Sequence, residues 1–91
     1  MTETARFQRD VAGPYYDGFA ITPNDSKDLP QLARGIYVGG GNGESPGDVV
    51  IVTPTGTELT FKNVPVGKIL PWVAKRVKST GTTATHLIGG V

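Results

Sequence analysis

Clusters of glycine and proline recur along this chain and leave little room between them for a long regular element. The 91 residues include 13 glycines and 7 prolines, more than a fifth of the chain, whereas the two together usually make up roughly 12%. The runs between the clusters are short and rich in β-branched residues, which favour extended backbone. Short strands spaced about 8–12 residues apart are typical of a sandwich or barrel. We therefore predict one small all-β, antiparallel domain of about six short strands.

Alternating and continuous apolar runs place the predicted strands. Four β-branched residues in a row at Val49–Val52 predict a central strand that is covered on both faces. The run Ile69–Lys78 reads as the longest strand, and Gly39–Gly47 reads as a flexible connection of hairpin length or longer. Short sequential connections imply antiparallel hairpins. The remaining strands are predicted around Phe19–Ile21, Ile36–Val38, Leu59–Phe61 and Ala84–Ile88.

The predicted core gathers the large apolar residues of these strands. It consists of Phe19, Ile21, Ile36, Val38, Val50, Val52, Leu59, Phe61, Leu70, Trp72, Leu87 and Ile88. Residues 1–16 are too polar to fold alone and are predicted to form an extended N-terminal arm that a neighbour orders. Residues 17–91 form the predicted β domain.

Charge and cysteine content narrow the possible partners. The net charge is +1 and there is no cysteine, so a disulfide framework and a thiolate metal site are excluded. A nucleic-acid-binding module normally carries a strong basic stripe, and we expect no nucleic-acid partner. The N-terminus lacks the apolar core of a secretory signal, and no apolar run approaches the ~20 residues of a membrane span. We expect a protein made in the cytoplasm, with no membrane partner.

The motifs that could carry chemistry are weak. His86 is the only histidine, and no serine or acid is tied to it as a catalytic triad requires. A β-branched strand follows Gly39–Gly47, where a phosphate-binding fingerprint needs a helix. Asn24, Asp25 and Asp28 lie in one tight loop, and Lys27 between the two acids favours turn capping by these side chains over a calcium loop. We therefore expect a non-enzymatic protein with no catalytic residue, no cofactor and no metal.

Seven residues are candidates for contact with a partner. The apolar ones lie in or beside the predicted arm, where aromatic side chains are common at interfaces, although local packing would use the tyrosines equally well. The basic ones form a small cluster that suits either a solvated face or an acidic partner. These candidates are Phe7, Val11, Tyr15, Tyr16, Lys75, Arg76 and Lys78.

A series of short motifs occurs in a fixed order between Asp17 and the C-terminus. The series consists of Asp17–Asp25, Asp28–Pro30, Arg34–Gly40, Gly47–Val50, Leu59–Gly67, Leu70–Pro71, Arg76–Val77 and Thr80–Thr85. In order and spacing, it resembles the head-spike base protein family of gene transfer agents and related alphaproteobacterial tailed phages and prophages.

The resemblance implies a structural protein of a virion. Members of that family form a pentameric ring at capsid vertices and carry a fibre that contacts the host surface. The implied partners are therefore further copies of the chain in a homopentamer, the major capsid protein and a spike fibre protein. The implied location is the capsid surface of the virion.

Two other functions stay open. A capsid decoration protein or tail-fibre adaptor is the second candidate and belongs to the same class of virion structural proteins. A small carbohydrate- or peptide-binding β domain would use Trp72 and the tyrosines as a platform.

Overall fold

The computed structural model describes residues 14–91, and this part of the chain is built from strands and loops. The seven strands are β1 (Gly18–Ile21), β2 (Gly35–Gly40), β3 (Gly47–Val52), β4 (Glu58–Val64), β5 (Ile69–Leu70), β6 (Arg76–Val77) and β7 (Thr85–Gly90). Within this range there is no helix of the length and apolar character needed to cross a membrane. The predicted all-β class is confirmed.

The strands form two antiparallel sheets that pack face to face. The four-stranded sheet has the order β1-β7-β2-β5, and the three-stranded sheet has the order β4-β3-β6. The fold is therefore a small β-sandwich, the first of the two predicted architectures. The prediction of sequential hairpins is wrong except for β3 and β4, because all other pairings join strands that are distant in sequence. Gly39–Gly47 contains a tight turn bridged between Asn42 and Ser45, but it does not join β2 and β3 as a hairpin, since these strands lie in different sheets.

The core lies between the sheets and contains most of the predicted residues. Ile36, Val38 and Leu87 are buried from the four-stranded sheet. From β3 the inward residues are Val49 and Ile51. The predicted inward residues Val50 and Val52 are therefore wrong, since they are buried on the opposite face of the strand. The other predicted residues are buried in the core or partly buried against it: Phe19, Ile21, Leu59, Phe61 and Leu70.

Two predicted core residues are on the surface. Trp72 is 45% exposed and Ile88 is 42% exposed. Ile88 follows Leu87 on the same strand, and adjacent strand residues point to opposite faces, so only one of the pair can enter the core. Trp72 lies outside the strands and packs its ring against Phe61, with ring centroids 5.7 Å apart.

The central strand β3 is buried on both faces, as its sequence predicts. Val49 and Ile51 point into the sandwich, whereas Val50 lies on the opposite face and is also buried. The loop after β6 covers that face: the backbone N–H of Val50 donates to the hydroxyl of Thr82 at 3.0 Å. A Cβ atom placed on Gly81 would lie 3.0 Å from Cγ2 of Val50, which shows how closely this loop approaches.

The predicted long strand Ile69–Lys78 is wrong. The chain instead pairs as β5 in the four-stranded sheet, leaves it, and pairs as β6 in the three-stranded sheet. Pro71 follows β5 directly, and proline has no N–H with which to continue a ladder. Ala74 forms an isolated bridge with Ala33 on the way. This run therefore connects the two sheets.

Candidate interaction surfaces

One row of apolar side chains crosses the whole outer face of the four-stranded sheet. Ala20 of β1 lies opposite Ile88 of β7, Ile88 lies opposite Tyr37 of β2, and Tyr37 lies opposite Ile69 of β5. All four are exposed. Because directly opposed residues on one face touch across the strands, these four residues form a continuous surface, here called the apolar outer face.

Tyr15 closes one end of this face. Its ring lies on Gly35 and Gly90, which are opposed in the β2–β7 register. A Cβ atom at Gly90 would come within 2.6 Å of Cδ1 of Tyr15, so only glycine leaves room for the ring. The guanidinium of Arg34 lies 4.9 Å from the ring centroid, a cation–π distance. The predicted partner contact Tyr15 is therefore engaged within its own chain.

The face is shallowly concave beside Tyr15. A depression of about 150 Å³ is lined by Tyr15, Asp17, Gly18, Gly35, Tyr37, Ile69, Ile88, Gly89 and Gly90. At the Ala20 end of the row a larger depression of about 330 Å³ is lined by Ala20, Thr22, Asn24, Lys27, Asp28, Leu29 and Pro30. The two concavities and the row together extend across all four strands.

The strands of the two sheets differ in their content of charged residues. The strands of the four-stranded sheet contain no Asp, Glu, Lys or Arg. On the three-stranded sheet, Glu58, Thr60 and Lys62 of β4 point outward and form the polar outer face. Ion pairs join this face to its neighbours: Lys78 to Glu58 at 3.2 Å and Lys62 to Asp48 at 3.3 Å.

Asp48 illustrates how the polar outer face satisfies its own charges. Its carboxylate accepts a hydrogen bond from the backbone N–H of Asn63 at 2.9 Å. That bond, together with the nearby Lys62, holds the pKa of Asp48 below its ordinary value. A surface whose charges are paired internally offers few unsatisfied groups to a partner.

The loop after β1 is held in place by hydrogen bonds to the side chains of Asn24 and Asp25. Asn24 Oδ1 accepts hydrogen bonds from the backbone N–H groups of Ser26 and Lys27. The predicted turn capping is therefore confirmed for Asn24 but is wrong for Asp25 and Asp28, which bind the distant Thr80 and Arg76 instead. Asp25 accepts bonds from the hydroxyl of Thr80 at 2.5 Å and from its N–H at 2.9 Å. These bonds lower the pKa of Asp25 to about 2.

The basic candidates take part in contacts within the chain. Arg76 Nη2 lies 2.7 Å from Oδ1 of Asp28, and Lys78 pairs with Glu58. Lys75 is half-buried. Arg76 and Lys78 therefore pack and pair at the junction of the loops with β6.

The apolar candidates fall into three groups. Phe7 and Val11 lie outside the described residues. Tyr15 is half-buried against Gly35 and Gly90, and Tyr16 is 89% exposed. Tyr37 and Ile69 were missed by sequence reasoning, although each is an outward residue beside an inward one. Finding them required knowing which strands are neighbours.

The candidate chemical residues stay apart from one another. His86 is exposed, with a positive φ of 55°, and its Nδ1 lies 3.2 Å from the hydroxyl of Thr85. Among residues 14–91 there is no group of three or more His, Cys, Asp or Glu side chains that could hold a metal ion. The distinctive features of the described surface are its concave shape and its exposed apolar area.

These features define a class: a small β-sandwich whose most distinctive surface is suited to contact with another protein. No protein-family model and no curated protein matches the chain. A solved structure does match, described as the capsid of a native gene transfer agent (GTA) particle computed with C5 symmetry. The two chains are 35% identical, each is covered over 100% of its length, and the TM-score is 0.77. The chain belongs to the family of this capsid chain and is a virion structural protein.

Proposed function

We propose that this protein forms the base of a head spike: a ring of five copies at a capsid vertex that attaches a host-contacting fibre. The observation that carries the proposal is the full-length match at 35% identity to a chain of a GTA capsid with C5 symmetry. The ordered motifs between Asp17 and Thr85 point to the same family. In this role the protein sits on the capsid surface, contacts the major capsid protein and the fibre protein, and performs no catalysis.

The shape of the domain supports a ring. A five-fold ring of identical chains uses a head-to-tail contact, in which one surface of each copy meets a different surface of the next. The sandwich presents two unlike outer faces, one apolar and one polar with its charges paired. The apolar face can therefore serve as one side of such a contact, whereas the polar face satisfies its own charges and can stay in water.

The predicted arm and Tyr16 are the proposed attachment elements. Tyr16 is 89% exposed, and its backbone N–H is bonded to the carbonyl of Val91 at 2.7 Å. The start of the described chain is thereby fixed to the end of β7, while the side chain stays available. We propose that this side chain, with Phe7 and Val11, contacts the capsid or the neighbouring subunit.

Deletion of the protein from particle-producing cells tests the proposal. We expect intact, filled capsids that lack both this chain and the fibre and that adsorb poorly to host cells. Complementation with the wild-type chain is the control and should restore both. Capsids that keep their fibre without this chain would contradict the proposal.

Copy number separates the head-spike base from a decoration protein, the second candidate that the capsid match favours. A base is confined to vertices and gives at most five copies at each. A decoration protein covers the capsid faces and approaches the copy number of the major capsid protein. Quantitative mass spectrometry of purified particles distinguishes the two.

A further inference from the structure

We infer that the apolar outer face, formed by Ala20, Tyr37, Ile69 and Ile88, is the surface by which one copy of this chain binds the next. This inference rests on the proposed ring and adds the surface that closes it. The row is continuous in register across all four strands of its sheet, and its side chains are exposed.

Residues 14–91 do not cover this face as they cover the equivalent face of the other sheet. Over β3, the loop at Gly81 and Thr82 lies against Val50. Over the four-stranded sheet, Tyr15 occupies only the Gly35–Gly90 end. The remaining row is a contiguous exposed apolar patch, the kind of surface that marks a protein–protein contact.

Electrostatics favours burial of the apolar outer face. Its strands contain no Asp, Glu, Lys or Arg. Covering them therefore removes no charged side chain of these strands from water. Burying an unpaired charge would be costly. A partner surface must likewise lack unpaired charges, which argues against a strongly acidic or basic partner.

A second copy of the chain meets these requirements. The net charge is only +1, so copies do not repel each other strongly, and a small net charge promotes association. A head-to-tail contact also needs a second apolar surface on the same chain. Leu32, Val66 and Trp72 are exposed apolar side chains outside the row, and we propose them as candidates for the complementary contacts.

Site-specific photocrosslinking tests the inference directly. A benzophenone amino acid replaces Tyr37 on the apolar outer face or, as a matched control, Thr60 on the polar outer face; each is an exposed residue within a strand. Native mass spectrometry of the purified chain first gives the oligomeric state. We expect copy-to-copy crosslinks from position 37 and none from position 60.

A charge substitution provides the second measurement. Ile88→Lys should weaken the association of copies by at least about tenfold, as expected for replacing a buried apolar contact. Thr60→Lys should leave association unchanged. Because Ile88 is exposed in the single chain, the melting temperature of isolated Ile88→Lys monomers should stay close to that of monomeric wild type.

The outcomes separate this inference from the proposed function. Five copies in the ring without crosslinks from position 37, or a ring that persists in Ile88→Lys, would overturn the inference alone. Crosslinks from position 37 to another particle protein but not to a second copy would also overturn it. Particles that carry the chain away from their vertices would instead contradict the proposed function.

Discussion

The outer face of the three-stranded sheet is covered by a loop of the same chain, whereas residues 14–91 leave most of the outer face of the four-stranded sheet uncovered. Over β3, the loop at Gly81 and Thr82 covers Val50, and the charges of β4 are paired with Lys78 and Asp48. Over β7 and β2, Ile88 and Tyr37 remain exposed. The two sheets share one core but differ in what lies outside it.

This difference separates residues that fold the chain from residues that serve contact with a partner. On β3 both faces contribute to the folding of a single chain, because both are buried in it. On β7 the inner face does so, whereas Ile88 on the outer face stays exposed. A small domain has little stability to spare, so an uncovered apolar face is a cost that a partner must offset.

A pair of adjacent substitutions on β7 gives the strongest test of the difference between the two faces of that strand. Leu87→Ala should lower the free energy of unfolding by about 2–5 kcal/mol, the usual cost of truncating a buried leucine, since Leu87 is 2% exposed. Ile88→Ala, one residue further, should cost less than about 1 kcal/mol in the monomer. Urea unfolding of dilute protein measures both.

The two variants also control for each other. Both remove aliphatic carbon from the same strand, so a difference in strand propensity cannot explain a large gap between them. If Ile88→Ala destabilised the monomer as much as Leu87→Ala does, the outer face would be part of the folding core. The comparison between the sheets would then fail.

Much of the fold could be predicted from local sequence. The β-branched run of β3 indicated burial on both faces, and the turn clusters indicated a sandwich or barrel. The path between the sheets was missed because the apolar pattern of the run continues to Lys78, although Pro71 marks the point at which β5 ends. Pairing of β1, β2 and β5 with partners distant in sequence depends on the whole chain and leaves no local signal.

The candidate surface was harder to predict than the core. Alternation shows that Leu87 and Ile88 point in opposite directions, but not which of the two points inward. Tyr37 and Ile69 become one surface only when β2 and β5 are neighbours. By contrast, Asn24 lies within its own turn and its capping was predictable from three residues of sequence.

A second, smaller loss of stability is expected from a substitution on the outer face of the three-stranded sheet. Val50→Ala should lower the free energy of unfolding by about 1.5 kcal/mol, at roughly 0.8 kcal/mol for each buried CH₂ lost. Val50 points away from the shared core, as Ile88 does, but it is 3% exposed. Thermal melting of the monomer should show a clear decrease for Val50→Ala and almost none for Ile88→Ala. Equal melting temperatures would mean that the covering loop contributes no stability.

The loop after β1 is where the two sheets are tied together at the surface. The N–H of Asn24 donates to the carbonyl of Val77, and the N–H of Leu29 donates to the carbonyl of Lys75. A segment that leaves the four-stranded sheet therefore runs beside β6 of the three-stranded sheet. Asp25 fastens this segment to Thr80.

The smallest expected effect is a pH dependence that arises from Asp25. Hydrogen bonds from the hydroxyl and then the N–H of Thr80 lower the pKa of Asp25 from 3.8 to about 2. Because the folded chain holds the carboxylate charged more readily than the unfolded chain does, Asp25 stabilises the fold above about pH 4. That contribution declines as the pH falls from about 4 towards 2 and is lost below the folded pKa. Asp25→Asn should therefore lower the urea midpoint slightly at pH 6, and the gap to wild type should narrow by pH 2.5. Glu44→Gln, which removes one exposed carboxylate from the glycine-rich loop, is the control for net charge and should show no such trend. A gap that stays constant between pH 6 and pH 2.5 would show that the bonds to Thr80 do not depend on the charge of Asp25.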